Sequence, residues 1–187
     1  MGTSPRTLPQ VPRRIALVDA SDCAATSALL ADAAEALPVY ARLADTQAPE
    51  LVRARAGRDI ASCDTVLLAL KLDGTNPRVE ELPISYAPTG ACVYALLCTE
   101  GDPGVATYLL AELDERCEER GLRWCGGLAV GDDDLLPRIT GCPRMGWARR
   151  RVSEAVDELL IALLANKSVG ERYVRPSRYA RLIGRRR

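Results

Sequence analysis

Four short runs of consecutive apolar residues constrain this chain more than any other feature. They are Ile15-Ala-Leu-Val18, Thr65-Val-Leu-Leu-Ala-Leu-Lys-Leu72, Ala91-Cys-Val-Tyr-Ala-Leu-Leu-Cys98 and Trp124-Cys-Gly-Gly-Leu-Ala-Val130. A strand that is apolar at nearly every position is buried on both faces. Such strands belong to a parallel sheet with helices packed on either side.

The intervening segments supply those helices. From Ala28 to Leu37, residues Leu30, Ala33, Ala34 and Leu37 keep the helical spacing of three and four, and Pro38 is predicted to end the helix. A weaker second strand is expected over Val39 to Ala44. A helix is expected from Pro49 to Ala61, with Pro49 near its first turn. After the loop Asp73-Gly-Thr-Asn76, Pro77 opens a short helix limited by Pro83. Asp102-Pro-Gly starts a helix that runs to about Arg120. Val105, Leu109, Leu113 and Cys117 mark its buried face, and Gly121 suits its C-terminal cap. Residues 132 to 146 read as a loop. The last helix spans about Trp147 to Ala165, with a stripe of Val152, Ala155, Val156, Leu159, Leu160 and Leu163.

Strand and helix thus alternate five times. Right-handed crossovers turn that order into a three-layer, doubly wound α/β sandwich with a five-stranded parallel sheet of order 2-1-3-4-5. The expected organisation is an irregular leader over 1–13, one domain over 14–166 and a basic tail over 167–187.

Composition narrows the chemistry. The chain has 187 residues, 48% of them hydrophobic, and 25 basic residues balance 25 acidic ones. That balance gives the whole chain no bias toward nucleic acid or a membrane. There is no histidine, so Ser-His-Asp and Cys-His catalysis are excluded within one chain. There is no phenylalanine either, so the core is aliphatic. Seven cysteines stand at 23, 63, 92, 98, 117, 125 and 142 with no C-x-x-C pair. Most lie inside apolar runs, as reduced, buried thiols of a cytoplasmic protein do. No run resembles a signal peptide or reaches about 18 apolar residues.

In a doubly wound sheet, ligands bind beyond the carboxyl ends of the strands, where the strand order reverses. Three loops meet there. Ser21-Asp-Cys-Ala-Ala-Thr26 precedes a helix whose exposed N–H groups suit a phosphate. Asp19 and Asp22 bring negative charge to the same loop, which also reads as an ordinary N-capped turn. Lys71-Leu-Asp-Gly74 offers the apolar Leu72. Thr99-Glu-Gly-Asp102 reads as a turn with an Asp102 cap, or as backbone placed against a ligand edge.

Together these loops resemble the flavodoxin family and the related flavodoxin-like NAD(P)H oxidoreductases. The family's phosphate loop has the form S-x-T-G-N-T. Here its two ends are Ser21 and Thr26, and Cys23-Ala24-Ala25 replaces the centre. Leu72 stands where the family often has a stacking Trp or Tyr, and Ala91 to Gly101 resembles its fourth strand and T-x-G turn. The resemblance implies FMN. Ser21, Asp22, Cys23, Ala24, Ala25 and Thr26 would hold its phosphate, Leu72, Asp73 and Gly74 would lie along the ring, and Thr99, Glu100, Gly101 and Asp102 would meet its edge. It also implies a redox partner protein or a nicotinamide, and a possible homodimer.

A second reading is a flavodoxin-like scaffold without flavin that binds a partner. The tail carries eight basic residues and one acidic residue between Lys167 and Arg187. It can dock on an acidic or phosphate-rich surface, or pack back over the sheet with its arginines solvated. The Arg149-Arg-Arg151 run opposes its helix dipole, which points to pairing with Asp132 to Asp134 and not to nucleic acid. Cys23 at a helix start could be a reactive thiol. A phosphatase C-x5-R loop is excluded because Leu29 stands where the arginine is needed.

Overall fold

The computed structural model describes residues 11–54, 57–73 and 79–184. It is an α/β sandwich built on one sheet of six parallel strands in the order β2-β1-β3-β4-β5-β6. The strands are β1 (Arg14–Asp19), β2 (Glu50–Arg53), β3 (Thr65–Leu72), β4 (Cys92–Thr99), β5 (Arg123–Val130) and β6 (Arg172–Val174). The helices are α1 (Ala24–Leu43), α2 (Gly57–Ile60), α3 (Thr107–Glu119), α4 (Leu136–Ile139), α5 (Arg150–Leu164) and α6 (Arg178–Gly184).

Side chains alternate across the sheet, and each set meets its own helical layer. Ile15, Leu17, Leu67, Ala69, Tyr94, Leu96 and Val130 pack with α1, α4 and α5. Ala16, Val18, Val66, Leu68, Leu70, Val93, Ala95 and Leu97 pack with α2, α3 and the turns at 79–86. All eight residues of β4 are buried, as are seven of the eight in β3. The four apolar runs are therefore the strands expected of them.

Several segments differ from the sequence reading, among them 132–146, read as a loop, which holds the short helix α4. Residues 39–44 form no strand, because α1 runs through Pro38 to Leu43. Pro38 removes one backbone donor, at a cost of about 3 kcal/mol in a helix interior. The buried stripe Leu29, Ala33, Ala36, Leu37 and Ala41 continues across it, and burial of that stripe outweighs the lost bond. The second strand is Glu50–Arg53 instead, inside the segment read as a helix, and only Gly57–Ile60 of that helix forms. The helix expected at Pro77 starts among residues outside the described set; residues 79–86 form two short 3-10 turns.

The tail differs too, because it adds a sixth strand. β6 pairs with the far edge of β5 and α6 follows it, with Ala180 in the core. Two of its arginines are paired, Arg172 with Glu158 and Arg175 with Asp132 at 2.9 Å. The leader is outside the described residues up to position 10, and Glu50 N–H donates to Arg13 carbonyl at the start of the β1–β2 pairing.

The Arg149–Arg151 run does not meet Asp132–Asp134. Arg149, 7% exposed, pairs with Asp32 of α1, itself 4% exposed. Arg144 pairs with both Asp32 and Asp157, and Arg150 pairs with Glu154 on its own helix at 2.7 Å. One buried carboxylate and two guanidiniums thus clamp α1 to the start of α5.

Two outcomes test this architecture. Asp32→Ala leaves the buried Arg149 guanidinium without its carboxylate, and urea unfolding should show a loss of about 3–5 kcal/mol. Deletion of residues 167–187 uncovers the edge of β5, so the midpoint of urea unfolding should fall clearly. An unchanged midpoint would mean that the tail contributes nothing to the sheet.

Candidate functional site

β1 ends in Asp19, whose side chain points, by strand alternation, into the α1 layer. The chain then turns sharply. Ala20 N–H still donates to Ala69 carbonyl at 2.8 Å, and Asp22 adopts a left-handed φ of 46° before α1 begins. This geometry folds the first loop around the Asp19 carboxylate. Its Oδ1 accepts from the N–H groups of Ser21 (3.3 Å) and Asp22 (2.9 Å) and from the Thr26 hydroxyl (2.7 Å). Its Oδ2 accepts from the Ser27 hydroxyl at 2.9 Å. Thr26 is fully buried, and its Oγ1 accepts in turn from Cys23 N–H at 3.3 Å. The N–H groups of Ser21 and Asp22 and the hydroxyls of Thr26 and Ser27, donors this loop could offer a phosphate, are already committed to a side chain of the protein.

The second loop is tied to the first, because Lys71 N–H donates to Ser21 Oγ at 2.8 Å. Lys71 is the only charged residue in β3. Its ammonium lies 2.8 Å from Asp133 Oδ2 and 3.8 Å from Glu100 Oε1, which joins the ends of β3, β4 and β5. The hydrogen bond to Asp133, 4% exposed, holds Lys71 above the ordinary lysine range. Leu72 faces the other layer and is 9% exposed, within the α3-side core. Asp73 is exposed, and Gly74 lies outside the described residues.

In the third loop Thr99 is 1% exposed, and its hydroxyl has no hydrogen-bond partner among the described residues. Glu100 and Asp102 are exposed. Asp102 caps the turn Pro103–Ala106 by accepting from Gly104 N–H at 3.0 Å. Gly101 sits against the end of β5, where a Cβ on Gly131 would stand 2.1 Å from the Gly101 carbonyl.

The structure thus brings the three predicted loops together at the crossover between β1 and β3. It also adds Asp133 and Gly131, which sequence reasoning did not place in the site, and it gives Asp19 and Lys71, in sequence only members of their loops, the roles of hydrogen-bond centre and tie. The lone charge inside the apolar run at 71 was the signal for Lys71; Asp133 had only the acidic run 132–134. A cavity of about 570 Å³ opens beside the first loop on the β2 side, lined by Leu17, Asp19, Asp22, Ser27, Leu30, Arg53 and Ala54. Among the described residues Arg53 is its one cationic side chain. Among the described residues no group of three or more Cys, Asp or Glu could hold a metal, and no helix is long and apolar enough to cross a membrane.

The network around Asp19 has a measurable weight. Asp19→Ala deprives the Thr26 and Ser27 hydroxyls and two N–H groups of their shared acceptor. Thermal or urea unfolding should show a loss of about 1–3 kcal/mol, with Asp19→Asn falling between the two.

No protein-family model and no curated protein sequence matches the chain.

Proposed function

We propose that this chain is a flavodoxin-like scaffold that works without flavin and binds a protein partner through its strand-end loops. The Asp19 carboxylate carries this reading: it takes two N–H groups and two hydroxyls at the head of α1. A phosphate brought within about 4 Å of that carboxylate would meet roughly 4 kcal/mol of repulsion per unit charge near a protein surface. Asp22 adds to the same field. The buried Leu72 offers a flat ring little surface to stack on. The tail, folded into the sheet with Arg172 and Arg175 paired, supports the strand-end loops as the docking face over the basic tail. Asp22, Asp73, Glu100 and Asp102 are all exposed on that face, so the complementary partner surface is basic.

A second reading keeps FMN, with electron transfer or nicotinamide-dependent reduction. It is favoured by the meeting of all three loops at the crossover point and by the unpartnered Thr99 hydroxyl beneath them. Under it, the residues that would hold the cofactor are Ser21, Thr26, Asp73, Thr99 and Glu100.

One titration separates the two. Purified protein should be colourless, and added FMN should shift neither its melting temperature nor the flavin fluorescence. Tight FMN binding by the wild type, weakened in Thr26→Ala, would overturn the scaffold reading. A lysine-rich peptide should bind with strong salt dependence, and the affinity should fall when Asp22, Glu100 and Asp102 are neutralised together.

A further inference from the structure

The amino ends of the strands hold a second cluster of chemically capable groups, at the opposite pole from the strand-end loops. β4 and β5 are in register at Cys92↔Arg123 and Val93↔Trp124, and the register then slips so that Tyr94 faces Gly126. Cys125 is the extra residue of this bulge. Cys125 lies in the same buried layer as Cys92 and Tyr94. Each thiol shifts the acidity of the other: Cys125 pushes the Cys92 thiol up, and Cys92 pulls the Cys125 thiol down. Arg123 Nη2 lies 2.8 Å from Cys92 Sγ, and Asn166 Oδ1, 2.9 Å away, accepts from that thiol. Arg123 also bonds to the Asn166 side chain and backbone, so the guanidinium is fixed beside the sulfur.

Cys125 is fully buried, but Cys92 lines a cavity of about 520 Å³ with Arg13, Asp64, Arg123 and Asn166. A small oxidant therefore has a way in to one sulfur, and the second sulfur waits behind it.

We propose that Cys92 and Cys125 are a peroxide-reactive dithiol that closes to a reversible intramolecular disulfide. The first proton to leave the pair is easily lost. The neighbouring Cys92 thiol and the Arg123 guanidinium pull the Cys125 thiol down to about 6, below the ordinary thiol range. Transfer of the remaining proton from Cys92 to Cys125 places the thiolate on Cys92, 2.8 Å from the Arg123 guanidinium and beside the cavity. That sulfur attacks hydrogen peroxide: an S–O bond forms, the O–O bond breaks and hydroxide leaves. Cys125 then attacks the sulfenic sulfur. The S–S bond forms as the S–O bond breaks, and the second oxygen departs as water. Two thiols and one peroxide give one disulfide and two waters, and a dithiol reductant reverses the change. Closing the bond needs the sulfurs to come to about 2.05 Å, and both side chains already lie in one buried layer.

The test uses the full chain. The reduced protein is treated with one equivalent of hydrogen peroxide, quenched with catalase, denatured and alkylated. Two of its seven thiols should be lost to alkylation, the intact mass should fall by two hydrogens, and peptide mapping should link Cys92 to Cys125. Dithiothreitol should restore all seven. Cys92→Ser and Cys125→Ser should each abolish the linkage, and Arg123→Leu should slow its formation about tenfold. Retention of all seven thiols in the wild type overturns the proposal, as does a disulfide that includes neither residue, or a sulfinic acid on Cys92 with Cys125 still alkylated. The wild-type result stands whether or not a variant folds.

Discussion

The double burial of β3 and β4 is the constraint on which the rest of the structure depends. A strand with no wet face cannot be left uncovered on either side. At roughly 25 cal/mol per Å² of buried apolar surface, its hydrophobic side chains stabilise the fold only if both helical layers are in place. This explains why the chain tolerates irregularities elsewhere. α1 keeps a proline in its interior because the stripe from Leu29 to Ala41 must cover the sheet without a gap. It also explains the Asp32 clamp. α1 and α5 lie side by side over one face, and a buried carboxylate shared by Arg144 and Arg149 fixes their relation more specifically than apolar contact can.

What was legible in the sequence follows the same logic. The strands β1, β3, β4 and β5, with helices α3 and α5, could be placed because their burial is nearly complete and leaves a plain pattern. The errors fell where that pattern is weak. β2 has four residues, two of them charged and exposed, so its sequence carries almost no strand signal beside the better helical look of its surroundings. Val39-Tyr-Ala-Arg-Leu reads locally as a strand, but the packing of Ala41 under α1's neighbours decides it. In the tail, eight basic residues masked the short run Arg172-Tyr-Val174. Its pairing with the free edge of β5 is a tertiary event that composition does not report.

The strand-end loops show a different limit. Their position could be derived, because topology fixes where the strand order reverses. Their content could not, because it depends on where one side chain points. Asp19 reads in sequence only as an unwelcome charge near a phosphate loop. In the structure it is the centre of that loop, and it converts donors of the loop from ligand-binding groups into structural ones. Lys71 behaves likewise: pairing with Asp133 and Glu100 turns a lone cation into the tie between three strand ends.

The amino-end cluster rests on one glycine. Gly126 has a φ of 113°, and a Cβ there would stand 2.0 Å from the Val169 carbonyl oxygen. No other residue allows both this backbone and this approach without strain. The close passage lets Val169 N–H donate to the Cys125 carbonyl at 2.7 Å, which holds the segment after α5 against the bulge. That segment supplies the Asn166 side chain to Cys92 and Arg123, and the Lys167 carbonyl that accepts from Tyr94 Oη at 2.7 Å. Cys125 alternates normally with Trp124 onto the face of Cys92 and Tyr94, and the slip shifts the residues that follow it. The bulge, the glycine and the returning chain are therefore one device. Its effect is to place two thiols, a guanidinium and an amide around a single point at the edge of the core.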